Sequence, residues 1–146
     1  MTALFEHSPW VEERADARPS SGDRHADLMA VVHDATRDEQ LALIRAHPEL
    51  AGKAAVDGSL TQASAAEQAS AGLDRLTQAE FDRFHALNAA YREKFGFPFI
   101  ICVRLTDKAG ILAAMERRLA NDRETEISAA LREIGEIVRL RLEDTA

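Results

Sequence analysis

Thr77-Gln78-Ala79-Glu80-Phe81-Asp82-Arg83-Phe84-His85-Ala86-Leu87-Asn88-Ala89-Ala90-Tyr91 is the stretch that decides the fold class. A threonine followed three residues later by a glutamate can satisfy two orphan amides at a helix start, each side chain reaching the other's backbone. Phe81, Phe84, Leu87, Asn88 and Tyr91 then recur at three- and four-residue steps, which places them on one helical face. The same grammar appears twice more. Thr36-x-x-Glu39 precedes Leu41, Leu43 and Ile44, and Asn121-x-x-Glu124 precedes Ile127, Ala130, Leu131, Ile134, Ile137 and Val138. Further helices are expected at about 23–35 and 107–120, with a short one at about 9–17. The pattern predicts an all-α protein: a single compact domain over residues 1–146, of about six to seven helices.

Composition agrees and removes several function classes. Of the 146 residues 46% are hydrophobic but only 5% aromatic, a mixture suited to packed helices rather than aromatic-rich strands. The formal charge of −7 repels phosphate backbones, so nucleic acid is not an expected partner. No apolar run reaches a membrane span, and the polar start does not read as a secretory signal. Glu143-Asp144-Thr145-Ala146 is no peroxisomal address, so a cytoplasmic location is expected. Cys102 stands alone in an apolar run, where an inert buried thiol is the plain reading, compatible with a reducing compartment.

Two stretches break the helical pattern. His47-Pro48-Glu49-Leu50-Ala51-Gly52 ends a helix, because a proline disfavours helical backbone at the residue before it and lacks an amide to donate. Phe95-Gly96-Phe97-Pro98-Phe99-Ile100-Ile101-Cys102-Val103-Arg104 is either a buried strand or an irregular central segment. In the second case its peptide groups must find partners outside any regular ladder.

The residues able to carry chemistry each admit two readings. His47 is either a helix C-terminal cap or a rigidly held general acid or base, of a residue type whose unperturbed pKa is near neutral. Ser64-x-x-Glu67-Gln68 is either a capping box, with Ser59 and Thr61 as competing caps upstream, or one polar face aimed into a pocket. Arg141 is either a solvated arginine near a helix end or a fork for a carboxylate. His7, His25, His33 and His85 show no metal-ligand spacing, so no metal site is expected. Phosphate-binding glycine loops and nucleophile elbows are absent from the sequence. Glu6 and Trp10 are candidates for a pocket wall, with a packed core tryptophan as the plainer alternative.

Taken together, Glu6-His7-Ser8-Pro9-Trp10-Val11, His47-Pro48-Glu49-Leu50-Ala51-Gly52, Ser64-x-x-Glu67-Gln68 with Gly72-Leu73, and Leu87-Asn88-x-x-Tyr91 leading into Phe95-Gly96-Phe97-Pro98-Phe99 are far more specific than any one of them. Over nearly its whole length the chain resembles the 2-oxo-4-hydroxy-4-carboxy-5-ureidoimidazoline (OHCU) decarboxylases. That resemblance implies an all-α fold, commonly a homodimer, and cofactor-free conversion of an anionic ureido-imidazoline into (S)-allantoin in urate breakdown. By the same resemblance His47 matches the catalytic proton donor, with Glu67 beside it, and Pro48 a neighbouring contact. Ser64, Ala65, Ala66, Glu67 and Gln68 match one substrate-binding segment; Phe99, Ile100, Ile101, Cys102 and Val103 match a second, through main-chain groups. Arg141 matches an arginine near the substrate.

One departure accompanies the match. The Glu6–Val11 segment stands at the very start, so the family's usual N-terminal helix is expected to be shortened or absent. No fused transthyretin-like hydrolase domain is expected, which leaves the preceding step to another protein. The alternatives are a related cofactor-free lyase or tautomerase, and a helical binding module that keeps the pocket without turnover.

Overall fold

The computed structural model describes residues 4, 5, 7–47, 50 and 62–144. Glu6, Pro48, Glu49, Ser59 and Thr61, all named above, lie outside them. Among the described residues there are seven α-helices and no strand: α1 Trp10–Asp16, α2 Arg24–Asp34, α3 Arg37–Ala46, α4 Gln62–Ser70, α5 Gln78–Phe95, α6 Lys108–Arg118 and α7 Arg123–Asp144. A 3-10 turn, Val103–Leu105, lies between α5 and α6. The expected all-α class is therefore observed.

Local chemistry starts and stops these helices. At α3 the Thr36 hydroxyl accepts from the Glu39 amide (3.1 Å) while the Glu39 carboxylate accepts from the Thr36 amide (3.0 Å). Thr77 and Glu80 do the same for α5, at 3.1 and 2.9 Å. The third expected cap is displaced by one residue. Asp122, not Asn121, accepts from the Thr125 amide (2.7 Å), and α7 begins at Arg123. Asn121 turns instead into the interior, donating to Glu126 Oε2 at 2.9 Å. A neighbouring carboxylate is the better acceptor at the positive end of a helix, and it takes the cap. Gly96 closes α5 in the left-handed region (φ 79°), where a side chain would be strained, and its amide donates back to Arg92 O at 2.7 Å.

The 22 residues of α7 run about 33 Å and form the spine. Ile127, Ala130, Leu131, Ile134 and Val138 are buried along it, against the Leu28, Val31 and Val32 side of α2 and the Leu41, Leu43 and Ile44 side of α3. Gly135 lets α2 come close: a Cβ there would lie 3.1 Å from Met29 Cε. The ring of His25 uses the same gap to donate to Gly135 O at 2.9 Å.

Four of the eight Phe, Tyr and Trp residues meet at one point. Tyr91 stands with its ring 4.6 Å from Phe95, 6.0 Å from Phe97 and 5.3 Å edge-on from Phe99. This cluster ties the irregular Phe97–Cys102 segment to α5 without any strand pairing. No helix among the described residues is long and apolar enough to cross a membrane.

Candidate active site

Four segments distant in sequence converge on one cavity of about 460 Å³, its mouth included. His47, at the end of α3, and Leu50 line it; α4 supplies Ser64, Glu67 and Gln68. The irregular run supplies Phe99 through Arg104, and α7 supplies Ile137 and Arg141.

His47 caps α3. Its amide donates to Ile44 O at 3.2 Å, and its backbone is extended (φ −75°, ψ 139°), the conformation a following proline requires. The imidazole is half-buried on the cavity wall. The residue that caps α3 is thus also a residue of the cavity lining.

Ser64 does not cap α4. The helix already runs from Gln62, so Ser64, Glu67 and Gln68 fall at i, i+3 and i+4 within it. Ser64 and Gln68 are buried and face the cavity, whereas Ala65 and Ala66 are exposed and line none of it.

Glu67 and Arg141 form the charged floor. Arg141 Nε and Nη2 donate to the two carboxylate oxygens at 2.9 and 2.7 Å, a two-pronged pair. Arg141 Nη1 donates to Leu4 O at 3.3 Å, tying the start of the described chain beneath the site. The arginine side chain is 3% exposed and the glutamate 14%, so water screens the pair little. At the rim, Arg104 Nη1 and Nη2 donate to Asp144 at 2.7 and 3.1 Å, fastening the end of α7 to the mouth.

The Phe99–Val103 wall is apolar but rich in peptide groups. Ile100 O accepts from Arg118 Nη1 (2.8 Å), and Cys102 N donates to Glu133 Oε1 (3.3 Å). Cys102 O and Val103 O accept from the amides of Leu105 and Thr106, both at 3.2 Å. Ile101 enters none of these bonds, so among the described residues its N–H and C=O are left for water or a ligand.

Burial pushes the Cys102 thiol up to about 11, with nearby Glu133, Glu67 and Glu136 adding to the shift. This thiol is a neutral wall group, not a nucleophile. A raised value favours the protonated folded form, so its stabilisation is present below the thiol's ordinary value of 9 and fades as pH climbs through 11. At pH 8 the native protein should resist iodoacetamide and should label at Cys102 only after unfolding. Labelling of the folded chain at the rate of a free thiol would contradict this placement.

The structure thus gathers His47, Ser64, Glu67, Gln68, Phe99, Ile100, Ile101, Cys102, Val103 and Arg141 and leaves Ala65 and Ala66 outside. Trp10 packs half-buried against the core, with the Arg14 guanidinium 4.6 Å over its ring, and does not line the cavity. Leu50, Arg104 and Ile137 were missed. Ile137 had a signal, since it stands one turn before Arg141 on the same face. Among the described residues no group of three or more His, Cys, Asp or Glu could hold a metal.

The cavity joins an imidazole, a fixed carboxylate–guanidinium pair, two amide- or hydroxyl-bearing side chains and open peptide groups against an apolar wall. Such a cavity can take a small polar molecule. Comparisons with known proteins agree. The family model described as OHCU decarboxylase matches residues 1–143. An OHCU decarboxylase of Haloferax volcanii is 45% identical over 142 residues, 95% of this chain and 82% of the relative. A solved (S)-allantoin synthase is 32% identical with a TM-score of 0.72; the match covers 97% of this chain and 46% of that one. An OHCU decarboxylase solved in the presence of (S)-allantoin shares the fold at a TM-score of 0.74, with 20% identity, 97% of this chain and 93% of that one. By motif, by whole-chain match and by architecture, this chain belongs to the OHCU decarboxylase family.

Proposed function

We propose that the chain removes CO2 from OHCU to give (S)-allantoin, with His47 as the acid/base group that protonates one face of the ring. The carrying observation is the meeting of His47, the Ser64–Glu67–Gln68 face, the Phe99–Val103 wall and Arg141 on one cavity. The decarboxylase activity itself follows from membership of the family.

The substrate holds its own electron sink. As the bond to the carboxylate breaks, its electron pair moves toward the adjacent C=N; CO2 leaves and that nitrogen takes a proton, giving an enol. As the enol closes to a carbonyl, its hydroxyl gives up a proton and the neighbouring ureido-bearing carbon takes one. That proton fixes the stereocentre, so the enzyme must supply it from one side. The work left to the protein is placement, charge support and proton delivery. A pyridoxal, a thiamine or a metal is not needed to hold the electrons.

Ser64, Gln68 and the peptide groups of Ile101 bond the ureido and amide edges of the ring. Glu67, anchored by the Arg141 fork, keeps lone pairs for the His47 ring and holds its tautomer. Arg141 spends two of its donors on Glu67, which spares the reaction a tight grip on the departing carboxylate. Such a grip would stabilise the ground state and slow the loss of CO2. Pro48, the next residue in the sequence, is proposed as a further substrate contact. The working unit is a homodimer in the cytoplasm, where a reduced Cys102 is at home.

The test generates OHCU in situ from urate with the two upstream activities and follows its disappearance across pH. The chain should accelerate decay above the spontaneous rate, and chelator should leave the rate unchanged. Activity should fall along a limb in the imidazole range, and Glu67→Gln should move that limb to lower pH, because a carboxylate favours the imidazolium. An unmoved limb removes Glu67 from its role. Inhibition by chelator, reversed by zinc, removes the cofactor-free reaction.

A further inference from the structure

Asn88 and Tyr91, one turn apart on α5, touch neither the cavity nor each other's partners, yet each reaches one of its walls. Asn88 Nδ2 donates to Leu50 O at 2.8 Å, holding a cavity residue three positions beyond His47. Asn88 is 5% exposed, and its Oδ1 has no hydrogen-bond partner among the described residues. An orphaned buried oxygen is a cost, and it marks a side chain held for its donor. Tyr91 is fully buried and donates to Glu126 Oε1 at 2.6 Å. The same Glu126 oxygen accepts from Arg118 Nε at 2.8 Å, and Arg118 Nη1 donates to Ile100 O at 2.8 Å. The Arg118 guanidinium also lies 4.3 Å over the Phe99 ring. A third tie completes the frame: Arg45, two residues before His47, donates from Nε to Gly96 O at the end of α5, at 3.1 Å.

A buried ion pair is a poor route to stability, because desolvating both charges cancels most of their attraction. Arg118 and Glu126 are better accounted for by what they hold. Ile100 and Phe99 lie in a segment without ladder bonds, and the network fixes a carbonyl and a ring there from behind. We infer that Asn88 and Tyr91 are positioning residues that set the distance between His47 and the Phe99–Val103 wall, through Leu50 on one side and Glu126–Arg118 on the other. The inference rests on the proposed role of that cavity. Displacing either wall leaves the binding groups present and spoils the alignment of imidazole and ring, to which rate is far more sensitive than affinity.

Tyr91→Phe removes one hydroxyl and leaves the ring cluster, and Asn88→Ala removes the donor together with its orphaned oxygen. Both variants are assayed with OHCU made in situ, and kcat, KM and melting temperature are read on the folded protein. Each should lower kcat about tenfold with KM within about twofold, and Asn88→Asp, which keeps the shape but loses the donor, should not restore kcat. A lower melting temperature with kcat unchanged would assign the two residues to stability alone and overturn the inference. Should Asn88→Ala fail to fold, Tyr91→Phe decides by the same split. Wild-type rates in His47→Ala would instead defeat the reading of the cavity itself.

Discussion

His47→Ala should lower kcat by roughly 10²- to 10⁴-fold, the usual contribution of a positioned acid/base group. Binding of (S)-allantoin should change little. The imidazole sits on the cavity wall at the end of a capped helix, and its backbone is fixed by a hydrogen bond to Ile44 O. Removing it leaves the Glu67–Arg141 floor, Ser64, Gln68 and the peptide wall in place. Kinetics of the variant and titration of allantoin, followed by NMR, separate the two effects. Loss of binding in step with loss of rate would make His47 a contact residue rather than the proton carrier.

Arg141→Leu should be the most destabilising single change in the site, by about 3 kcal/mol or more, because it strands the largely buried Glu67 carboxylate. For a domain of this size that is a fall of roughly 10 °C in melting temperature. The carbonyl of Leu4 loses a donor as well. Glu67→Leu combined with Arg141→Leu should recover most of the stability, since apolar side chains of similar bulk replace the pair. The double variant should remain inactive, since it lacks the Glu67 carboxylate proposed to orient His47. Thermal unfolding of the three proteins is the check; equal stability of single and double variants would show that the pair is not a buried, mutually dependent unit.

The sequence made the helical architecture legible because helix starts and helix faces are local properties. Thr36-x-x-Glu39 and Thr77-x-x-Glu80 needed only four residues to be read, and both boxes form. Asn121 was misplaced as a cap, and Ser64 takes the in-helix alternative of its two readings, each for a local reason. Asp122 outcompetes Asn121, and Ser64 lies inside a helix that begins two residues earlier. The Phe97–Cys102 run was ambiguous because its order comes from outside itself, from the Tyr91 ring cluster and the Arg118 guanidinium. The candidate site was legible through the family motifs, not through spacing: His47, Glu67 and Arg141 are far apart in sequence and meet only in the fold. Leu50 and Arg104 join the cavity because their neighbours do. The Tyr91–Glu126–Arg118 chain could not be read at all, since an ion pair between separate helices leaves no periodic trace and charged residues ordinarily face water.

Optical purity of the product is the most direct test of one-face protonation by His47. Circular dichroism of allantoin formed from in situ OHCU should show the (S) enantiomer in large excess with the wild-type chain. At the same conversion, His47→Ala should yield optically inactive product. An undiminished (S) excess from His47→Ala would contradict the assignment, because the stereocentre would then be set by some other group.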